Sequence, residues 1–201
     1  MIFDLITIAL TGSFFGLAIY AVVRFLGKFP RRTVEDVAPY LRPMELQDLE
    51  AMLDPAGEVN FRLRLSRHEF SQLQRRRIHL AREYLLRMSH NAQVLVEWGN
   101  TEWIGSQGAP ESFGRKDVLA GELVQAATEF RLYSLLALVK LKIWIIFRLD
   151  AWPLPSVPYL AALSSIAGIE AIHAYARLKS AAARLVQVYD DRYQQELVAR
   201  L

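Results

Sequence analysis

The chain opens on a long apolar stretch. From Ile2 to Leu26 only Asp4 and Arg24 carry charge, and a helix of about 25 residues is long enough to cross a hydrocarbon layer of roughly 30 Å. The pattern predicts a membrane anchor rather than a cleaved leader, because no Lys or Arg precedes the run and no small-residue cleavage site follows it. Arg24, Lys28, Arg31 and Arg32 gather at its C-terminal side, which puts that flank in the cytoplasm and the N-terminus outside. Gly12 and Gly16 form a G-x-x-x-G pair within it. Small residues at that spacing allow close approach of two helix backbones, so the pair is a candidate transmembrane dimer face.

Beyond the anchor the hydrophobic period changes repeatedly. Residues 29–43 read as a basic connector punctuated by Pro30, Pro39 and Pro43, and a short acidic amphipathic helix follows from Met44 to Leu53. Asp54-Pro55-Ala56-Gly57 reads as a turn or helix stop. Val59, Phe61, Leu63 and Leu65 then alternate with polar residues, a period of two that predicts an extended segment packed on helices. Ser66 and Glu69 make a capping box, nothing breaks a helix before Trp98, and Gly99 offers a C-terminal stop. Along this helix, apolar positions recur at eleven as well as three and four, which implies a rather straight helix packed along its length. A glycine-rich loop at 99–114, a helix at 115–149, a break at Pro153, Pro155 and Pro158, and a helix at 156–198 complete the chain.

The resulting expectation is an all-α fold: one transmembrane helix followed by a cytoplasmic antiparallel bundle of three long helices. Its parts are an anchor at 1–28, a connector with a short acidic helix and an extended segment at 29–65, and the bundle at 66–201. The hairpin 133–176 stands out because its first arm is apolar all round. Leu135, Ile143, Trp144 and Ile146 are the candidate apolar interface there. Such a helix needs cover on more than one side, from the bundle core, segment 44–65, a second copy, a partner or lipid. Insertion of the hairpin is close to balanced, since about ten strongly apolar residues at roughly −0.3 to −0.6 kcal/mol each oppose two central lysines at roughly +2.5 to +3.5 each.

Composition narrows the chemistry. The 201 residues are 53% hydrophobic and 22% charged, with a net charge of +3, which excludes a disordered tail protein. No cysteine is present, so a disulfide scaffold, a thiolate zinc site and a cysteine nucleophile are excluded. Of 24 basic residues only Lys28, Lys116, Lys140, Lys142 and Lys179 are lysines, a coding habit of GC-rich bacteria.

Candidate chemistry is sparse. Arg75, Arg76, Arg77 and Arg82 make the 66–98 helix basic. They are candidates for contact with anionic lipid or a partner, although consecutive residues point about 100° apart. His68, His79 and His90 are eleven apart, about 16 Å between neighbours on a helix, too far to share a metal. Glu170 and His173 form one E-x-x-H, half of a di-iron ligand set. Without a second such motif they are metal candidates only in outline, and an ion pair between Glu170 and Arg131 is the expected arrangement. No nucleotide, zinc-protease or hydrolase motif appears. No cofactor is implied and no catalytic residue is assigned.

The function expected is a membrane-anchored helical interaction, scaffold or accessory protein at the cytoplasmic face of a bacterial inner membrane. Its partners would be membrane lipids, a second copy or another membrane protein, with nucleic acid not favoured. The alternative is a peripheral lipid-binding or membrane-remodelling protein using the hairpin 133–176 and the arginine-rich helix. A metal-dependent enzyme in the bundle is a remoter alternative.

Overall fold

The computed structural model describes residues 32–106, 114–148, 169–189 and 191–201. All belong to the second of two compact units, Arg31–Leu201. The expected anchor, its Gly12 and Gly16 pair and the tip of the hairpin lie outside the described residues. Every regular element among those residues is helical, and none of these helices is long and apolar enough to cross a membrane. The helices are α1 (Val34–Tyr40), α2 (Leu46–Leu53), α3 (Pro55–Arg64), α4 (Arg67–Ser106), α5 (Gly114–Arg148), α6 (Ile169–Val186) and α7 (Asp191–Arg200).

The bundle is built on α5, which packs against both α4 and α6, whereas α4 and α6 touch each other only lightly. The register is antiparallel on both sides. The Ser106 hydroxyl donates to Asp117 at 3.2 Å and Lys116 meets Glu102 at 2.6 Å, while Arg177 and Arg184 of α6 pair with Glu129 and Glu122 of α5 at 2.7 and 3.0 Å. The core between them holds Met88, Ala92, Leu95 and Trp98 of α4, Ala120, Leu123, Ala127, Phe130, Ala137 and Leu141 of α5, and Ala171, Tyr175, Leu178, Ala182 and Leu185 of α6. The alanines let the helix axes approach, and the gaps are filled by large rings. Phe130 and Tyr175 meet edge to face with centroids 5.1 Å apart, a geometry favoured by the ring quadrupoles.

Four sequence expectations change. Residues 59–65 are helical through Arg64, as part of α3, rather than extended. The Asp54 carboxylate accepts from the backbone N–H of Ala56 and Gly57 at 3.1 and 2.8 Å, and Pro55 occupies the first turn. A capped start with a preset φ outweighs a period-two pattern that no neighbouring strand rewards. The turn read at 54–57 is therefore a helix start, and Val59, Phe61 and Leu63 are left exposed.

The long helix does not stop at Gly99; α4 runs 40 residues to Ser106, about 60 Å. Gly99 instead marks a close approach of α5: a Cβ there would lie 2.9 Å from Val124 Cγ2. The connector is not irregular throughout, since α1 forms within it, with Thr33 before its first turn and Pro39 in its last. Finally, the last helix is broken, because α6 ends at Val186 in a turn that carries Tyr189, and α7 follows. The acidic helix expected at 44–53 forms as α2.

Candidate functional site

The connector is fastened to α4 at two points. At the first, the Arg32 guanidinium forms an ion pair with Glu97, a side chain buried in the helix face. Gln93 donates to the other Glu97 oxygen at 3.1 Å, and the Arg32 backbone N–H donates to the Thr101 hydroxyl at 3.2 Å. The guanidinium also lies 4.0 Å from the centre of the Tyr40 ring, within cation–π range. Burial alone would lower the Arg32 pKa, but Glu97 and Tyr40 together more than offset it and the net shift is upward. The cation is thus fixed at every pH the protein meets.

The second point is Asn91, which is fully buried. Its carboxamide oxygen accepts from the Arg42 N–H at 2.8 Å, and its amide donates to the Arg42 carbonyl at 2.9 Å. The same amide nitrogen donates to the Tyr175 hydroxyl on α6 at 3.1 Å. One side chain therefore ties connector, α4 and α6 together. Burial pushes the Tyr175 phenol up to about 12, so it stays protonated. His90 adds a contact to the Tyr40 carbonyl at 3.1 Å.

A third cluster lies where α4 ends and α5 begins. Trp98 Nε1 donates to Glu102 at 3.0 Å, Glu102 pairs with Lys116, and the Lys116 ammonium lies 4.4 Å from the centre of the Tyr189 ring. Burial first, and the neighbouring Glu102 carboxylate second, raise the Tyr189 pKa. These groups join the turn after α6 to α4 and α5, with the Tyr189 hydroxyl buried among them and without a hydrogen-bond partner among the described residues.

The predicted arginine group divides. Arg75, Arg76 and Arg82 are exposed on α4, whereas Arg77 is buried. It donates to the Met52 carbonyl and to Gln74, at 3.4 Å. Gln74 in turn donates to buried Glu58 of α3. Arg77 thus holds α2 and α3 against α4.

The predicted metal candidates Glu170 and His173 both sit on the exposed side of α6. Among the described residues no group of three His, Asp or Glu side chains could hold a metal ion. The ion pairs described between these helices are Glu129–Arg177 and Glu122–Arg184. His68 and His79 are exposed and His90 lies at the edge of the connector clasp, so the three share no site.

Of the predicted apolar interface, Leu135 is exposed, and the side chains of Ile143, Trp144 and Ile146 lie outside the described residues. Leu135 has company that the sequence pattern did not single out. Leu132, Leu135, Leu136 and Val139 are 54%, 44%, 52% and 48% exposed, and they lie on the side of α5 opposite its fully buried residues Phe130, Ala137 and Leu141. The exposed side of α6 is by contrast polar, with Glu170, His173, Arg177, Ser180 and Arg184. No family model, curated protein or solved structure matches the chain.

Proposed function

We propose that the protein is a membrane-tethered helical scaffold or accessory protein, which holds a rigid bundle at the cytoplasmic face of a bacterial inner membrane. The observation that carries this reading is the clasp: Arg32 on Glu97 and Arg42 on Asn91. A tether positions a domain only if the two are mechanically continuous. The residues that follow the apolar run are bound to α4 at both ends of α1, across sequence separations of 65 and 49 residues. Nothing in the clasp is arranged to do chemistry. Its groups are paired ions, backbone amides and a buried phenol, all of them satisfied, which suits a load-transmitting joint.

The test is a topology and extraction experiment on the full chain. A cytoplasmic reporter fused to the C-terminus should be active, a periplasmic one silent, and the chain should stay in the membrane pellet through alkaline carbonate. Release by carbonate, or the opposite reporter pattern, refutes the tether.

A further inference from the structure

We infer that the outward face shared by α4 and α5 docks on an anionic lipid surface. This deepens the proposed function and rests on it. The central observation is the ridge of Leu132, Leu135, Leu136 and Val139. These residues recur at three, four and seven, so they form one stripe about 10 Å long. Exposed Lys142 continues it.

The adjoining surface is basic. On α4, exposed Arg75, Arg82 and Leu86 are spaced seven and eleven apart and share one side. That side is fixed by the helix contacts. α4 meets α6 through Asn91, and approaches α5 through Gly99. Positions 75, 82 and 86 lie roughly opposite Asn91 around the helix, at 100° per residue. They therefore flank the outward side of α5 rather than that of α6. The antiparallel register, set by Lys116 with Glu102 and by Gly99 with Val124, puts Leu86 nearly level with Leu135, and Arg82 nearly level with Val139.

Charge and shape together select the occupant. No Asp or Glu occurs between Glu129 and Asp150, and Glu83, the nearest acid on α4, is paired with Arg87 at 2.5 Å. Exposed leucines bordered by cations, with no acid among them, complement a surface that is apolar beneath a negative layer. The leucines also stand out from the helix as a ridge, on the side away from its buried residues. A partner helix seeks a groove, whereas an interfacial helix offers a ridge of this kind to a flat layer.

The absence of cysteine makes single-site labelling direct. The full chain carrying Val139→Cys, or Ser180→Cys on the polar side of α6 as a control, is labelled with an environment-sensitive fluorophore. It is then reconstituted in phosphatidylcholine vesicles with or without phosphatidylglycerol. With phosphatidylglycerol present, the label at 139 should be quenched by brominated lipid and protected from aqueous iodide, and the label at 180 should show the reverse. Molar salt should return the label at 139 to iodide. Each basic side chain near an anionic surface is worth about fivefold, so Arg75→Gln, Arg82→Gln and Lys142→Gln together should lower its docked-to-free ratio about a hundredfold. Iodide access at 139 in both lipid mixtures overturns the docking while leaving the tether standing. Protection from both quenchers overturns it in favour of a protein occupant. Failure of the chain to remain with the vesicles at all overturns the tether and the docking together.

Discussion

Replacing Asn91 with alanine should loosen the joint between connector and bundle, and the size of the loss can be worked from its three hydrogen bonds. Two go to the backbone of Arg42, at 2.8 and 2.9 Å. Arg42 is itself exposed, so its N–H and carbonyl can recover water, and each bond costs about its net value of roughly 1 kcal/mol. The third goes to the Tyr175 hydroxyl at 3.1 Å. Tyr175 is fully buried, and a hydroxyl left there without a partner costs about 1–3 kcal/mol. The sum is roughly 3–5 kcal/mol. Urea unfolding of the full chain in non-ionic detergent, followed by far-ultraviolet circular dichroism, measures it.

Two further readouts separate the terms. Tyr175→Phe removes the hydroxyl, so in that background Asn91→Ala should cost about 1–3 kcal/mol less than it does alone. Trypsin cleavage after Arg32 should accelerate in Asn91→Ala and in Glu97→Gln, because each frees one end of the connector. If Asn91→Ala costs under about 1 kcal/mol and leaves cleavage after Arg32 unchanged, Asn91 does not hold the joint.

Glycine substitutions should have opposite signs at two sites. Gly99→Ala gains helix propensity, but its Cβ meets Val124 Cγ2 at 2.9 Å; overpacking of this kind costs about 1–3 kcal/mol, and Val124→Ala should relieve it. A Cβ added at Gly121 would meet nothing within 4 Å, so Gly121→Ala should stabilise the chain by up to about 1 kcal/mol; equal urea midpoints for the two single variants would refute the close approach. Alkali should weaken the fold. The phenol of Tyr175 is pushed up to about 12, so its stabilising contribution is complete below the unfolded value near 10 and is lost as pH rises from about 10 towards 12. At about pH 11 the loss from Tyr175 is roughly 1.4 kcal/mol, and raised Tyr189 adds to it. A urea midpoint unchanged between about pH 9 and about pH 11 would contradict the burial of both phenols.

The long helices were legible in the sequence because their apolar positions keep helical period over many turns. The capping box at Ser66 works as read: Glu69 accepts from the Ser66 N–H at 3.0 Å and from its hydroxyl at 2.6 Å, which lowers the Glu69 pKa. Local signals with two meanings are decided only by packing and capping. Gly99 reads equally as a stop or as a close contact, and only the position of Val124 decides. Asp54-Pro55 reads equally as an end or a beginning, and the beginning prevails because the Asp54 carboxylate caps two backbone amides. The clasp was not legible at all. Asn91, Glu97 and Tyr175 look like ordinary helix residues in sequence, and their partners Arg42, Arg32 and Asn91 lie 49 to 84 residues away.

The sequence nevertheless posed the question that the structure sharpens. A helix arm apolar all round needs cover on more than one side, and segment 44–65 is one candidate for α5. That segment is committed elsewhere. Asp48 accepts from the Tyr84 hydroxyl at 2.8 Å, Met52 accepts from Arg77, and Glu58 accepts from Gln74; all three donors are on α4. Among the described residues, α4 and α6 cover the buried side of α5. Leu132, Leu135, Leu136 and Val139 are left outside by the packing itself. Four leucine-class side chains about half exposed on one ridge would each gain from leaving water, at about 25 cal/mol per Å² of apolar surface. A chain that keeps its α6 exterior polar yet leaves this ridge bare presents a surface with something to gain from a neighbour, and the cations beside it favour a negative one.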